Sequence, residues 1–259
     1  MFEYCATSGA DSWVNCKDYT PFQLFLFCGG CWLWVVAYFL IIRSARKYQF
    51  LEMPMIAGAA NLGWETAYGL YWGTNMGKLA LYAYKAWLLV DVAIVYYLYK
   101  YGDKQGWSPQ MRRNFKPMLV LWSFLFFALF GTYPLDHNDH RIGAITAYAD
   151  NLIISFTYIY MLGRLTDVRG LSTWVAWLKG IGTGMNTIFM FRQFPEDLFL
   201  HILGVTIAVG DATYIYMLYQ RRKWQRENPE PHVPQLDAPG AVGYPIGTGE
   251  IRVMNIGEG

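Results

Sequence analysis

Charge is scarce in this sequence. Of its 259 residues 15% are Asp, Glu, Lys or Arg, whereas 54% are hydrophobic and 18% aromatic, and a soluble domain carries a charged share of about 25%. Four cysteines are too few for a disulfide scaffold. Cys5 and Cys16 precede the first apolar stretch and are placed for one bridge. Cys28 and Cys31 form a C-x-x-C inside an apolar run, where small packing residues are the ordinary reading. A net charge of +2 is too small for a nucleic-acid surface, and neither a nucleic-acid motif nor an internal repeat occurs. The first twenty residues contain Glu3, Asp11 and Asp18 and lack the basic start of a cleavable leader, so the first apolar stretch is expected to target the chain and stay.

What the sequence has is long apolar stretches. About twenty such residues cross a hydrocarbon core of roughly 30 Å, and seven candidates occur: 21–42, 50–72, 79–99, 117–133, 142–162, 171–190 and 198–219. Basic residues cluster after the odd-numbered spans, as Arg43, Arg46 and Lys47, then Lys100, Lys104, Arg112, Arg113 and Lys116, then Arg164 and Arg169, then Arg221, Arg222, Lys223, Arg226 and Arg252. Lys and Arg concentrate on the cytoplasmic side of short loops. The expectation is an all-α fold, a seven-transmembrane helix bundle over 21–219 with its N-terminus outside. Residues 1–20 then form a lumenal segment. Residues 220–259 form a cytoplasmic tail, rich in Pro and Gly from Asn228 onward and read as mostly disordered.

Ionisable residues inside spans cost roughly 2.5–3.5 kcal/mol each on insertion scales and are functional candidates by default. Here they are Glu65 in "NLGWETAYGL", Lys85 and Asp91 in span three, Asp150 in span five, Lys179 in span six and Asp211 in span seven. Helical spacing surrounds the acids with polar-tipped aromatics. Asn61, Tyr68 and Trp72 share the Glu65 face, and Trp64 adjoins it. Trp87 lies four residues before Asp91, and Tyr214 three after Asp211. Span five carries a stripe of Tyr148, Asn151, Ser155 and Tyr158. An apolar, aromatic-walled cavity holding carboxyls at two depths is the simplest arrangement. A proton-bearing acid there can protonate an epoxide or alkene of a greasy substrate, and aromatic faces can stabilise the carbocation that follows. Exclusion of water would protect that cation.

At "NLGWETAYGL", "AWLLVDVAIVYY", "AYADNLIISFTYIYML" and "GDATYIYMLY" the sequence resembles the small seven-span integral-membrane terpene cyclases of meroterpenoid and indole diterpenoid biosynthesis, the type found in the pyripyropene and paxilline pathways. The resemblance implies that Glu65 and Asp211 are the acids that initiate cyclisation. It implies a farnesyl or geranylgeranyl substrate, usually with a terminal epoxide, on a polyketide-derived or indole head group. An upstream prenyltransferase and epoxidase would supply that substrate, and the setting would be the endoplasmic reticulum of a fungus. Asp150 departs from the neutral polar residue expected before the Asn and is a candidate third acid.

Other readings compete. No D-D-x-x-D or D-x-D-D motif is present, so neither a metal nor another cofactor is expected. "DHNDH" at 136–140 offers Asp136, His137, Asp139 and His140, but a short outer loop is ordinarily polar. Glu65 could pair structurally with Lys85, and Asp91 could anchor packing with Asn151 or a tyrosine. Lys179 reads as structural or snorkelling, and His201 as interfacial. No lysine lies in span seven to hold retinal. A proton-coupled transporter of a small molecule is the alternative function, since it too would use buried acids.

Overall fold

A computed structural model describes residues 9–228, and all regular structure among them is helical. The helices are α1 (Pro21–Tyr48), α2 (Met55–Thr66), α3 (Lys78–Tyr101), α4 (Pro109–Asp136), α5 (Ala144–Arg164), α6 (Thr173–Gln193) and α7 (Leu198–Glu227). A π-helical turn, Ala67–Trp72, continues α2, and a 3₁₀ turn, Gly102–Lys104, continues α3.

Local chemistry sets the boundaries. Thr20 and Gln23 form a reciprocal capping box ahead of Pro21, with Thr20 N–H donating to Gln23 Oε1 at 2.8 Å. Ser108, Ser172 and Asp197 accept backbone N–H groups of the first turns of α4, α6 and α7. The cap at Ser108, with Pro109 in the first turn, starts α4 eight residues before the predicted 117. Pro117 and Pro134 are accommodated within the helix. α7 likewise runs on to Glu227, so residues 220–227, expected in the tail, are helical. The remainder of that tail and residues 1–8, including Cys5, lie outside the described residues. Cys16 is disulfide-bonded, and Cys28 and Cys31 are free.

Six helices close a ring in the order α1, α6, α7, α5, α2, α3 and back to α1, and α4 leans on α2 from outside. Neighbours in sequence run in opposite directions. At one end, which carries most of the basic residues, Gln105 Nε2 donates to the Met53 carbonyl at 2.6 Å and Ser172 N–H donates to buried Glu52 at 2.7 Å. At the other end Gln23 Nε2 donates to Gln193 Oε1 at 2.7 Å.

The seven predicted spans correspond to seven helices, but four, not seven, are long and apolar enough to cross a membrane by length and composition: α1, α3 with its 3₁₀ extension, α4 and α7. The other three fall short for physical reasons. α2 stops being α-helical after twelve residues, where the π turn begins, and nine of those residues are buried in the protein rather than offered to lipid. α5 and α6 carry the polar stripes Asp150, Asn151, Ser155 and Lys179, Thr183, Asn186, which lower their hydropathy. The outside is apolar: Phe25, Trp32, Phe39, Leu89, Phe124 and Val209 are all more than 60% exposed, a surface suited to lipid.

Small residues bring the backbones together. A Cβ built on Gly182 of α6 would lie 2.8 Å from the Gly30 carbonyl oxygen of α1, and one on Gly63 of α2 would lie 2.6 Å from the Phe127 backbone nitrogen of α4. At the end opposite the basic one, Asp139 fastens the start of α5 to α2. It accepts the Ile145 and Thr146 N–H groups at 2.7 and 2.9 Å, together with the hydroxyls of Thr146 and Tyr68. Burial pushes the Asp139 carboxyl above its usual range, against the pull of these donors.

Two stability effects are expected. Gly182→Val should lower stability by about 1–3 kcal/mol through forced separation of α1 and α6, read as a lower unfolding midpoint in detergent. Asp139→Ala should cost at least about 1–3 kcal/mol by leaving several buried donors unpaired, checked by the same midpoint and by faster protease cleavage before α5.

Candidate active site

Five ionisable side chains face one another inside the ring: Glu65 from α2, Asp91 from α3, Asp150 from α5, Lys179 from α6 and Asp211 from α7. None is more than 5% exposed. Electrostatics link them, since Glu65 feels Asp91 and Asp150, and Lys179 feels both Asp150 and Asp211. Lys179 is the one Lys or Arg buried among the described residues. Lys85 instead lies exposed on α3, 6.0 Å above the Tyr82 ring, and does not pair with Glu65.

The four carboxyls are held differently. Asp91 Oδ2 accepts from Asn61 Nδ2 at 2.8 Å, and the same amide donates to the Tyr38 hydroxyl at 2.7 Å. Asp211 Oδ1 receives the Lys179 ammonium in an ion pair, together with the Ser155 hydroxyl at 2.7 Å. The ammonium also donates to Ser155 Oγ at 2.8 Å and lies 5.5 Å above the Trp34 ring. Glu65 Oε2, Asp150 Oδ1 and Asp211 Oδ2 are buried without a hydrogen-bond partner among the described residues, as are Trp87 Nε1, Asn151 Oδ1, Asn186 Oδ1 and the Tyr214 hydroxyl. Such groups cost roughly 1–3 kcal/mol each when left unpaired.

Aromatic rings are buried in the same interior, where Tyr38 and Tyr84 feel Glu65 and Tyr158 feels Asp211. Trp64 stacks on Tyr68 with centroids 4.7 Å apart and meets Tyr84 edge-on at 5.5 Å. Its indole N–H donates to Thr146 Oγ1 at 3.0 Å, which ties the wall beside Glu65 to the Asp139 clamp. Tyr38 stands edge-on between Trp34 and Trp87, and Tyr214 packs on Tyr158 at 5.1 Å. Glu65 itself is one residue before the end of α2, at the junction with the π turn, a backbone irregularity frequent at functional sites.

The interior therefore gathers Glu65, Asn61, Trp64, Trp87, Asp91, Asp150 and Asp211, as the helical spacing suggested. Three expected residues have other engagements. The Tyr68 hydroxyl donates to Asp139 rather than into the acid cluster, the Tyr148 hydroxyl donates to Thr187 Oγ1 at 3.1 Å, and Asn151 Nδ2 donates to the Ala147 carbonyl of its own helix at 3.3 Å. Asp91 is anchored by Asn61 and not by Asn151. Lys179, read as structural from the sequence, stands in the centre. Its spacing to Thr183 and Asn186, one helical face of α6, was the available signal. Tyr38 and Ser155 complete the set. Of the "DHNDH" loop, Asp139 is the clamp, and His140 Nε2 bonds Asp197 at 2.8 Å while its ring stacks on Phe194.

Chemically, the arrangement offers carboxyls with unengaged oxygens, one of them paired with a cation, in an apolar and aromatic interior. That combination suits proton transfer to and from an apolar molecule. Comparison with known proteins agrees in kind. The profile of the Pyr4-like transmembrane terpene cyclases matches residues 14–223. The chain is 28% identical over 212 residues to the Pyr4-family terpene cyclase mfmH of Annulohypoxylon moriforme, covering 74% of this chain and 83% of that one. It is 29% identical over 222 residues to the terpene cyclase ascF of Acremonium egyptiacum, covering 75% and 80%. A third relative, the terpene cyclase macJ of Penicillium terrestre, is 27% identical over 160 residues, 58% of this chain and 59% of that one. No solved structure matches the chain. With nearly the whole helical ring inside the matched range, the chain belongs to the family of Pyr4-like transmembrane terpene cyclases.

Proposed function

We propose that this membrane enzyme protonates a terminal epoxide, or an alkene, of a farnesyl or geranylgeranyl chain joined to a polyketide-derived or indole head group, and so drives carbocation polycyclisation in meroterpenoid biosynthesis. The observation that carries the reading is Glu65, a buried carboxyl with an unengaged oxygen beside the stacked Trp64–Tyr68 pair. A buried charge without a partner is far costlier than the neutral acid. The one ammonium buried among the described residues is bonded to Asp211, which leaves Glu65 uncompensated and therefore holding a proton to give.

The step needs no redox partner. The Glu65 hydroxyl gives its proton to the epoxide oxygen as the C–O bond breaks, and the tertiary cation is attacked in turn by the alkenes of the same chain. Aromatic faces close to the acids, those of Trp64, Trp87, Tyr38 and Tyr214, lower the energy of the moving positive charge. No metal or other cofactor enters this reading. The prenylated substrate reaches the ring from the bilayer, after an upstream prenyltransferase and epoxidase have made it. In a fungal endoplasmic reticulum the basic end of the bundle would face the cytoplasm and the start of α1 the lumen.

Microsomes carrying the protein, given synthetic epoxyfarnesyl and epoxygeranylgeranyl arenes, should yield a cyclic isomer of unchanged mass. Glu65→Gln should insert normally and slow epoxide consumption by about 10²-fold or more, the ordinary worth of a general acid. Mass spectrometry and NMR of the product, with immunoblots of the membrane fraction, check both; full activity in that variant refutes the acid role.

A further inference from the structure

The two acids that the family resemblance pairs, Glu65 and Asp211, do not have the same surroundings. Asp211 Oδ1 is bonded by the Lys179 ammonium and by the Ser155 hydroxyl, while Oδ2 is buried and unengaged. Among the described residues no cation is bonded to Glu65, and the charges that act on it, Asp91 and Asp150, have its own sign. A buried carboxyl bonded to an ammonium is held as the anion, and a carboxyl among other carboxyls as the acid. We propose that Lys179 is a positioning residue that fixes Asp211 as a carboxylate, so that Asp211 Oδ2 takes the proton which ends the cascade, and Glu65 alone gives the proton which begins it.

This inference rests on the cyclase reading given above and divides its labour. At the start, the Glu65 O–H bond breaks and an O–H bond forms on the substrate oxygen as the epoxide C–O bond opens. At the end, a C–H bond next to the last cationic carbon breaks, its electron pair becomes the new alkene, and the proton goes to Asp211 Oδ2. The substrate is isomerised without gain or loss of atoms. The enzyme is left with Glu65 ionised and Asp211 protonated, and proton exchange after product release restores both. Lys179 never touches substrate in this scheme. Its work is done through Asp211, helped by the Ser155 hydroxyl from α5 and by the Trp34 face from α1. The other titratable groups around the pair are Asp150 on α5, which acts on Lys179, and Tyr158 on α5, which feels Asp211; Tyr214, three residues after Asp211 on α7, feels Tyr158, Glu52 and Arg222, and Glu52 acts on Tyr158 as well.

Two readouts test it on the full-length protein. Infrared difference spectra of purified wild type against Asp211→Asn and against Glu65→Gln should show a lost carboxylate band in the first and a lost protonated-carboxyl band in the second. This measurement needs no turnover and so is independent of whether the substrate class is right. In the microsome assay, Asp211→Asn and Lys179→Met should still open the epoxide. The single cyclic alkene should give way, in both, to a mixture of alkene isomers and water-captured alcohols, whereas Glu65→Gln leaves substrate intact. Ser155→Ala, a milder change, should raise the minor alkenes several-fold and stands in for Lys179→Met if loss of the ammonium prevents insertion. A protonated Asp211 in the infrared, an Asp211→Asn variant that consumes no epoxide, or a Ser155→Ala product profile identical to wild type overturns the division. Absence of any cyclisation by the wild type, with Asp211 ionised in the spectra, overturns the substrate reading instead.

Discussion

Lys179, the one ammonium buried among the described residues, in a cluster with the four carboxyls of Glu65, Asp91, Asp150 and Asp211, is the constraint around which the bundle is organised. Lys179 can compensate one negative charge, and it is bonded to Asp211. In an apolar interior, ionising the other three acids without partners is ruled out by cost, since a lone buried charge is disfavoured by far more than any single fold contact contributes. Asp91 answers with the Asn61 amide, itself shared with Tyr38. The ring thus contains one ion pair, one hydrogen-bonded carboxyl, and two carboxyls, Glu65 and Asp150, each with an oxygen left over.

The helix packing follows from keeping that set together. Lys179 reaches Asp211 because α6 is bonded to α1 on one side and packed on α7 on the other, and the close approach of Gly30 to Gly182 sets α6 at the depth where its lysine lies over Trp34. Glu65 owes its place to α2, which is enclosed by α3, α4 and α5. A helix so enclosed has no lipid face to fill with large residues, hence the "AGAANLG" run and its small side chains. The π turn after Thr66 then redirects the chain toward the Asp139 clamp, which fixes Tyr68 and, through Thr146, Trp64.

Helix number, order and approximate limits were legible in the sequence because apolar length and capping chemistry are local signals. The first span was expected to begin at residue 21, and the structure keeps that start, capped by Thr20 and Gln23. The number of self-sufficient spans was not legible. The π turn that cuts α2 to twelve residues is a backbone feature, and the polar stripes of α5 and α6, noticed as site residues, also lower the hydropathy of those helices below what a span needs on its own. The acid cluster could be read as well, because intramembrane carboxyls stand out against an apolar background, and helical spacing placed aromatics beside them. Of the two readings given to Lys179, structural and snorkelling, the buried ion pair excludes the second. Long basic side chains so often reach for an interface that position alone does not reveal one turned inward, and its partner lies 32 residues away on another helix. Tyr68, Tyr148 and Asn151 share faces with the acids, yet spend their polar groups on Asp139, Thr187 and a backbone carbonyl.

Among the buried acids, the pattern of hydrogen bonds separates those that hold the fold from those available for chemistry. Glu52, which accepts the Ser172 N–H on one oxygen and keeps Oε2 unengaged, lies between the two kinds; Asp139 receives four donors and ties two helices together. A carboxyl kept for stability is saturated in this way, because every unpaired buried oxygen subtracts roughly 1–3 kcal/mol. Glu65, Asp150 and the Oδ2 side of Asp211 carry that penalty unrelieved within the ring, in the company of an unpaired Trp87 indole and Tyr214 hydroxyl. Replacing Glu65 or Asp150, to which no cation is bonded among the described residues, by an apolar residue of similar size would relieve that penalty in the empty bundle, whereas replacing Asp211 would strand the buried Lys179 ammonium. Such oxygens are free to meet a bound molecule, and under the proposed cyclisation a prenyl epoxide followed by its own cation would supply first an acceptor for the Glu65 proton and then a donor for Asp211.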